Sequence, residues 1–165
     1  RSASKSGIRW TMIIWTSTIS IFLFRYIFKD FKADLRYIVL GSFFPIALDQ
    51  FLFLFNFYKN PILIGHSLFV TIGLLFTLMI ITKRNSTFRN KSLLFSIGSF
   101  FYLALSFTWL NQEIFLYPIF PGTDNLFEIP LFVKVILNFI GLGYFFYKIQ
   151  NMDQLKYFFK EGKFI

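Results

Sequence analysis

The chain has no cysteine among its 165 residues. That excludes disulfides, thiolate metal sites and thiol nucleophiles, and says nothing about compartment. Acidic residues are scarce, with 8 Asp and Glu against 17 Lys and Arg, for a net charge of +9. A basic balance can indicate nucleic acid, but these charges cluster between apolar runs and no basic-aromatic RNA motif is present, so nucleic acid is not an expected partner. No internal repeat and no signal peptide with a small-residue cleavage site is read. The sequence opens on Arg1 rather than Met, which leaves the true N-terminus open.

What remains is overwhelmingly apolar. Hydrophobic residues make up 56% of the chain, 27 of them Phe, and the mean hydropathy is +0.60. Such a composition has too little polar surface to cover a soluble core of this size. Tyr37 to Tyr58 holds no Lys or Arg and one acid, Asp49, and Asn60 to Thr82 holds no ionisable group except His66. About 20 such residues span the hydrocarbon of a bilayer. The fold expected is an all-α, polytopic membrane helical bundle of four or five transmembrane helices, forming one domain over residues 1–165.

Five apolar segments carry that expectation: about 10–28, 37–58, 62–82, 92–109 and 130–147. The first has a charge-free part of only 15 residues, Trp10 to Phe24, before Arg25. It spans with Arg25 snorkelling, or lies in the interface. Pro45 should kink or locally break the second segment beside Asp49. The region 111–129 holds Pro118 and Pro121 and suits a short interfacial helix or re-entrant piece. The basic tail 150–165 suits an interfacial helix, with Leu155, Phe158 and Phe159 on one side and Lys156, Lys160 and Lys163 elsewhere; a solvated tail is the alternative. The sequons at Asn85 and Asn90 read as chance matches.

Charge sorts the loops. Arg25, Lys29, Lys32 and Arg36 follow the first segment; Lys83, Arg84, Arg89 and Lys91 follow the third; Lys148, Lys156, Lys160 and Lys163 follow the fifth. With alternating spans these lie on one side, and the positive-inside rule puts that side, with the C-terminus, in the cytoplasm. The localisation expected is the plasma (inner) membrane, multi-pass.

Polar groups inside such segments are costly in lipid and mark sites. Asp49, His66, Tyr102, Ser106, Trp109 and Glu113 all fall at the outer end of the bundle, and Lys134 and Asn138 begin the fifth segment from that end. His66, Val70, Gly73 and Thr77 share a helical face, and the small Gly73 and Thr77 suggest that it packs inward. Asp49 and His66 are first-choice ligands for zinc and similar ions, with Glu113 as the nearest further acid and Tyr102 as a weaker one. The same pair also serves as a hydrogen bond tying helices together. A Ser-His-Asp triad from Ser67 or Ser106 can be written, but no nucleophile-elbow motif supports it.

The run G-S-F-F-P-I-A-L-D-Q (Gly41 to Gln50) is followed by G-H-S-L (Gly65 to Leu68), G-S-F-F-Y-L-A-L-S-F-T-W (Gly98 to Trp109) and E-I-F-L-Y-P-I-F-P-G (Glu113 to Gly122). In order and spacing these resemble the small bacterial family of LexA-binding, inner-membrane-associated metal-dependent hydrolases, over about half the chain. The resemblance implies five ligand positions. Two are retained, Asp49 and His66; Ile46 and Ser106 stand where an Asp is expected, and Tyr102 where a His is expected. It therefore implies a depleted hydrolase scaffold: a non-catalytic structural, lipid-binding or accessory subunit, with no cofactor. The alternative is a membrane metal-dependent hydrolase acting on a lipid or lipid-linked phosphoester at the outer face, with a divalent metal such as zinc or manganese. A transporter is a third reading, weakened by the short chain and the lack of paired repeats. Membrane lipids are the partners expected, with a further membrane protein or a second copy of the chain as others.

Overall fold

The structure, a computed structural model, describes residues 12–30, 32–55, 64–120, 129–149 and 152–163. These residues form seven α-helices and no strand. In chain order they are α1 (Ile13–Phe28), α2 (Arg36–Leu54), α3 (Leu68–Ile81), α4 (Thr87–Leu105), α5 (Gln112–Phe115), α6 (Leu131–Lys148) and α7 (Met152–Glu161). Short 3-10 turns at Ile64–His66 and Thr108–Leu110 precede α3 and α5.

Two helices, α2 and α6, are long and apolar enough to cross a membrane, and α1 and α3 are shorter apolar helices. Helix bounds depart from the apolar segments where capping chemistry overrides hydropathy. Helix α4 starts at Thr87, not near residue 92, because the Ser86 hydroxyl accepts from the Arg89 N–H at 3.1 Å and supplies the cap. It ends at Leu105, not Trp109, as Phe107 takes a left-handed conformation (φ 56°) and a 3-10 turn follows. Helix α3 starts only at Leu68, capped by Ser67. Helix α2 runs unbroken through Pro45 and ends at Leu54. The parts of the expected segments at 10–11, 56–58 and 62–63 lie outside the described residues, as do 121–128 of the interfacial region.

Helices α2 and α4 run side by side in the same direction at the centre, Tyr37 beside Lys91 near their starts and Ile46 beside Tyr102 toward their ends, and two glycines set how closely they pack. A Cβ on Gly41 would fall on the Phe95 carbonyl, and one on Gly98 would fall on the Ile38 carbonyl. Small hydroxyl residues fill the same seams: Ser20, Ser42, Ser96 and Ser99 are buried, and Ser17 and Ser42 share a hydrogen bond of 3.0 Å between α1 and α2. Small residues at such contacts let helices gain van der Waals contact where burial alone offers little. Ile21, Phe24, Leu35, Ile38, Leu94, Phe101 and Phe158 form the main apolar cluster.

Helix α3 packs on α4, and α6 lies outermost, against α1. Gly141 of α6 meets the Trp15 backbone, and Asn138 Oδ1 accepts from the Trp15 N–H at 3.2 Å. Since α1 has no side-chain cap of its own, Asn138 supplies one from a neighbouring helix. That removes Asn138 from the polar group expected around Asp49. Gly73 and Thr77 also depart from expectation: both are exposed, and nothing lies near Gly73. His66 sits in a 3-10 turn outside α3, so helical spacing counted from it picks the wrong face.

The C-terminal segment is docked. Phe158 of α7 is buried in the main cluster. The Leu35 N–H donates to the Gly162 carbonyl at 2.8 Å. Arg36 Nη1 donates to the carbonyls of Phe159 and Lys160, at 2.9 and 3.1 Å, so a guanidinium caps the last turn of α7. The same guanidinium donates from Nε and Nη2 to the two carboxylate oxygens of Asp34, at 2.8 and 2.7 Å. Gly162 has φ +72°, and a Cβ there would land on the Asp34 carboxylate, so both conformation and space require glycine.

This latch titrates. Hydrogen bonding to the Arg36 side chain holds the Asp34 carboxyl below the ordinary aspartate range, against the opposing pull of partial burial; the Arg36 N–H and the Arg36 and Lys91 charges add to the lowering. A lowered carboxyl pKa stabilises the folded form above the ordinary value of about 4, and that contribution fades as pH falls through the lower folded value. Amides of α7 should therefore exchange with deuterium faster, after correction for intrinsic rates, as pH drops below about 4. Asp34→Asn should exchange fast already at neutral pH. Exchange insensitive to both changes would reject the latch.

Candidate functional site: a chain of hydrogen bonds through His66

Asp49 lies one turn beyond Pro45, near the end of α2. Proline has no N–H to donate, and the following 3-10 turn lies directly on this stretch: a Cβ on Gly65 would fall on the Pro45 carbonyl. Glycine at 65 thus lets the chain approach closely enough for two bonds to one carboxylate. The Gly65 N–H donates to Asp49 Oδ1 at 2.6 Å. His66 Nδ1 meets Asp49 Oδ2, also at 2.6 Å.

The other ring nitrogen completes the chain. His66 Nε2 lies 2.9 Å from the Tyr102 hydroxyl on α4, with the two rings edge to face at 5.3 Å. With the Nδ1 proton directed at Asp49, Nε2 accepts from the Tyr102 O–H; a doubly protonated ring donates at both ends. The side chains of Asp49 and His66 are 12% and 9% exposed, and Tyr102 is 3% exposed. Beneath them Ile46, Tyr102 and Leu103 form a small apolar cluster with Ile13 and Phe115 against it.

A second tie lies beside the first. The Ser67 hydroxyl, fully buried, donates to the Tyr117 carbonyl at 2.6 Å while accepting from the Phe69 N–H at 3.2 Å. One residue therefore caps α3 and fastens the segment after α5 over the His66 turn.

The structure brings Asp49, His66 and Tyr102 together and gives the remaining candidates other work. Ser106 is the C-cap of α4; its hydroxyl is 2.7 Å from that of Thr108 and 3.3 Å from the Leu103 carbonyl. Its hydroxyl closes the end of α4 rather than bonding His66. Neither Ser67 nor Ser106 is bonded to His66, whose ring nitrogens are taken by Asp49 and Tyr102, so the serine triad is not assembled. Trp109 is 49% exposed, its indole N–H donating to the Ala104 carbonyl at 3.3 Å. Glu113 sits on α5, which packs against the His66 turn, and one of its carboxylate oxygens is buried without a hydrogen-bond partner. Among the described residues, no three His, Asp or Glu side chains gather as metal ligands.

Sequence reasoning missed the Gly65 N–H and the Ser67–Tyr117 bond. The adjacent glycine and serine in G-H-S were the available signal, since each lends the backbone or a short hydroxyl to a close contact. Compared with protein-family models, curated proteins and solved structures, the chain matches none.

Each bond in the chain leaves a buried polar atom stranded when its partner is removed. His66→Ala and Tyr102→Phe should each lower unfolding stability by about 1–3 kcal/mol in detergent. The double variant should cost less than the sum of the two, because both act on one chain of bonds. Strict additivity in a double-mutant cycle would show that the two residues are not coupled.

Proposed function

We propose that the chain is a multi-pass membrane protein in which Asp49, His66 and Tyr102 tie helices together, and that it acts as a non-catalytic structural, lipid-binding or accessory subunit. One observation carries the non-catalytic reading. All four atoms of Asp49 and His66 able to ligate a metal are already engaged, by the Gly65 N–H, by each other and by the Tyr102 hydroxyl. A divalent ion would have to displace these bonds and find a third protein ligand, which catalytic zinc normally has. The residues at hand do not fit such an ion.

The membrane reading rests on exposure. A core helix of a soluble protein hides its apolar side chains, yet only 28% of the apolar window of α2 and 6% of that of α6 are buried. Phe132, Phe139 and Phe146 of α6 and Ile80 and Ile81 of α3 stand exposed. Lipid covers such faces without cost. In the proposed arrangement α1, α3 and α4 also cross, and the end bearing Lys29, Arg36, Arg84, Lys91 and Lys148 faces the cytoplasm, with the C-terminus. In this reading the chain is a depleted relative of the inner-membrane hydrolase family that its motifs resemble, in a bacterial plasma membrane. A second membrane protein or a second copy of the chain are the further partners this reading admits.

The second reading, a metal-dependent hydrolase at the outer face, has one observation in its favour: the unpartnered, buried carboxylate oxygen of Glu113 beside the His66 turn. Asp49, His66 and Glu113 would then be the ligands of zinc or manganese.

Two measurements test these readings. Cysteines at Asn85 and Gln112, both exposed, should label from opposite sides of the membrane, Asn85 from the cytoplasm; labelling from one side rejects the topology. Protein purified without chelator should carry no stoichiometric zinc or manganese. One equivalent of metal, lost together with phosphoesterase activity in His66→Ala, would overturn the non-catalytic reading in favour of the hydrolase.

A further inference from the structure

Helix α7 has an apolar arc wider than the surface that the bundle offers it. Leu155, Phe158 and Phe159 share one side by sequence, and the structure divides them. Phe158 is buried in the main cluster with Ala33 and Leu35, at the end of the bundle where the basic loops gather. Phe159 turns outward and is 66% exposed, its ring edge to face with that of Phe158 at 5.8 Å. Met152 and Lys156 lie on the same side as Phe159, at spacings of four and three residues, and Met152 is 73% exposed. Tyr157 and Glu161 occupy the opposite flank. Arg36 donates to the Phe159 and Lys160 carbonyls and the Leu35 N–H to that of Gly162, so α7 cannot roll Phe159 inward without breaking these bonds.

An exposed methionine and phenylalanine on a docked helix call for a cover. Three observations point to lipid. Phe146 and Tyr147, exposed in the last turn of α6, carry the apolar outer wall of the bundle to the end from which α7 starts. Lys156 stands between Met152 and Phe159, where its aliphatic stem can lie along hydrocarbon while the ammonium reaches phosphate. Its ion pair with Asp153 is long, at 3.9 Å, with both side chains in solvent, and holds it only weakly. Lys29, Arg84, Lys91 and Lys148 gather at the same end, which makes that end attractive to an anionic surface. We infer that α7 is an in-plane anchor: it rests on the bundle through Phe158 and dips Met152 and Phe159 into the anionic lipid surface there, with Lys156 at phosphate depth and Glu161 turned to water. This rests on the membrane reading and adds to it the segment, the face and the lipid class.

A chain without native cysteine makes the test direct. Phe159→Cys, Met152→Cys and Glu161→Cys, each in the full chain and each carrying an environment-sensitive fluorophore, are reconstituted in bilayers of mixed phosphatidylglycerol and phosphatidylcholine, or of phosphatidylcholine alone. In the anionic bilayer the probes at 152 and 159 should be blue-shifted and quenched by lipids spin-labelled near the glycerol end of the acyl chain. They should also be several-fold less accessible to aqueous acrylamide than the probe at 161. Either of the two suffices if the other disturbs the packing of α7. Adding Lys156→Gln should weaken the protection about fivefold, the share expected of one basic residue beside an anionic surface; Lys156→Arg should keep it. Probes at 152 and 159 as accessible as the one at 161 would make α7 a solvated tail and overturn the anchor. Shielding from water without quenching by lipid would assign the face to a protein partner instead. Equal protection in phosphatidylcholine alone would overturn the anionic preference. Membrane attachment is read separately: protein released from membranes by alkaline carbonate would sink the membrane reading itself, whereas attached protein with a water-exposed probe at 159 would sink only the anchor.

Discussion

The close crossing of α2 on α4 is the constraint on which the rest depends. Gly41 and Gly98 let the two backbones meet without an intervening side chain. That contact fixes the depth of α4 relative to α2, and so decides that Tyr102, one turn beyond Gly98, lies where a ring placed by the end of α2 can reach it. A larger residue at either glycine would press on a backbone carbonyl of the other helix, separate the two helices and lengthen the bond between His66 and Tyr102. The buried serines along the same seams serve by their small size; Ser42 also returns its hydroxyl to its own helix, at the Val39 carbonyl 2.7 Å away.

The helical architecture was legible because uncharged runs of this length and hydropathy leave few alternatives. Boundaries were less so. Apolarity reports where a segment can meet hydrocarbon, whereas a helix starts where its first N–H groups find acceptors, and for α4 that place is Ser86, among charged residues. Asp49 and His66 stood out as the ionisable groups in otherwise uncharged stretches, and Tyr102 could be placed at their depth by counting along α4. The partner of Ser106 could not, because Thr108 reaches its hydroxyl only through a left-handed conformation at Phe107 that nothing in the Phe107 side chain favours. The inward face assigned to Gly73 and Thr77 failed because helical periodicity was carried across the 3-10 turn at Ile64–His66, where it does not hold. Asn138 was drawn toward the wrong neighbours for a related reason: sequence gives depth along a bundle but not which helix stands beside which.

The two ends of the bundle are built by different means. At one end, carboxylate, imidazole and phenol are withdrawn from the surface and satisfy one another, which suits a region where unpaired polar groups are costly. At the other, Asp34, Arg36 and the basic loops remain near the surface and engage backbone carbonyls. Arg36 belongs to both worlds, since its helix runs from this charged end to Asp49. Removing its partner Asp34 therefore acts at the end opposite His66, and the two ties act as separate fasteners of one helix.

The placement of Gly162 has a consequence for how the fold is assembled. The Leu35 N–H and the Arg36 guanidinium find their acceptors on residues 159–162, and the Arg36 bonds to Phe159 and Lys160 span 123 and 124 positions of sequence. The turn between the first two helices is therefore closed by one of the longest-range contacts in the fold, after every helix between them has been made. A chain extended only through α6 holds its central helices with that turn still open.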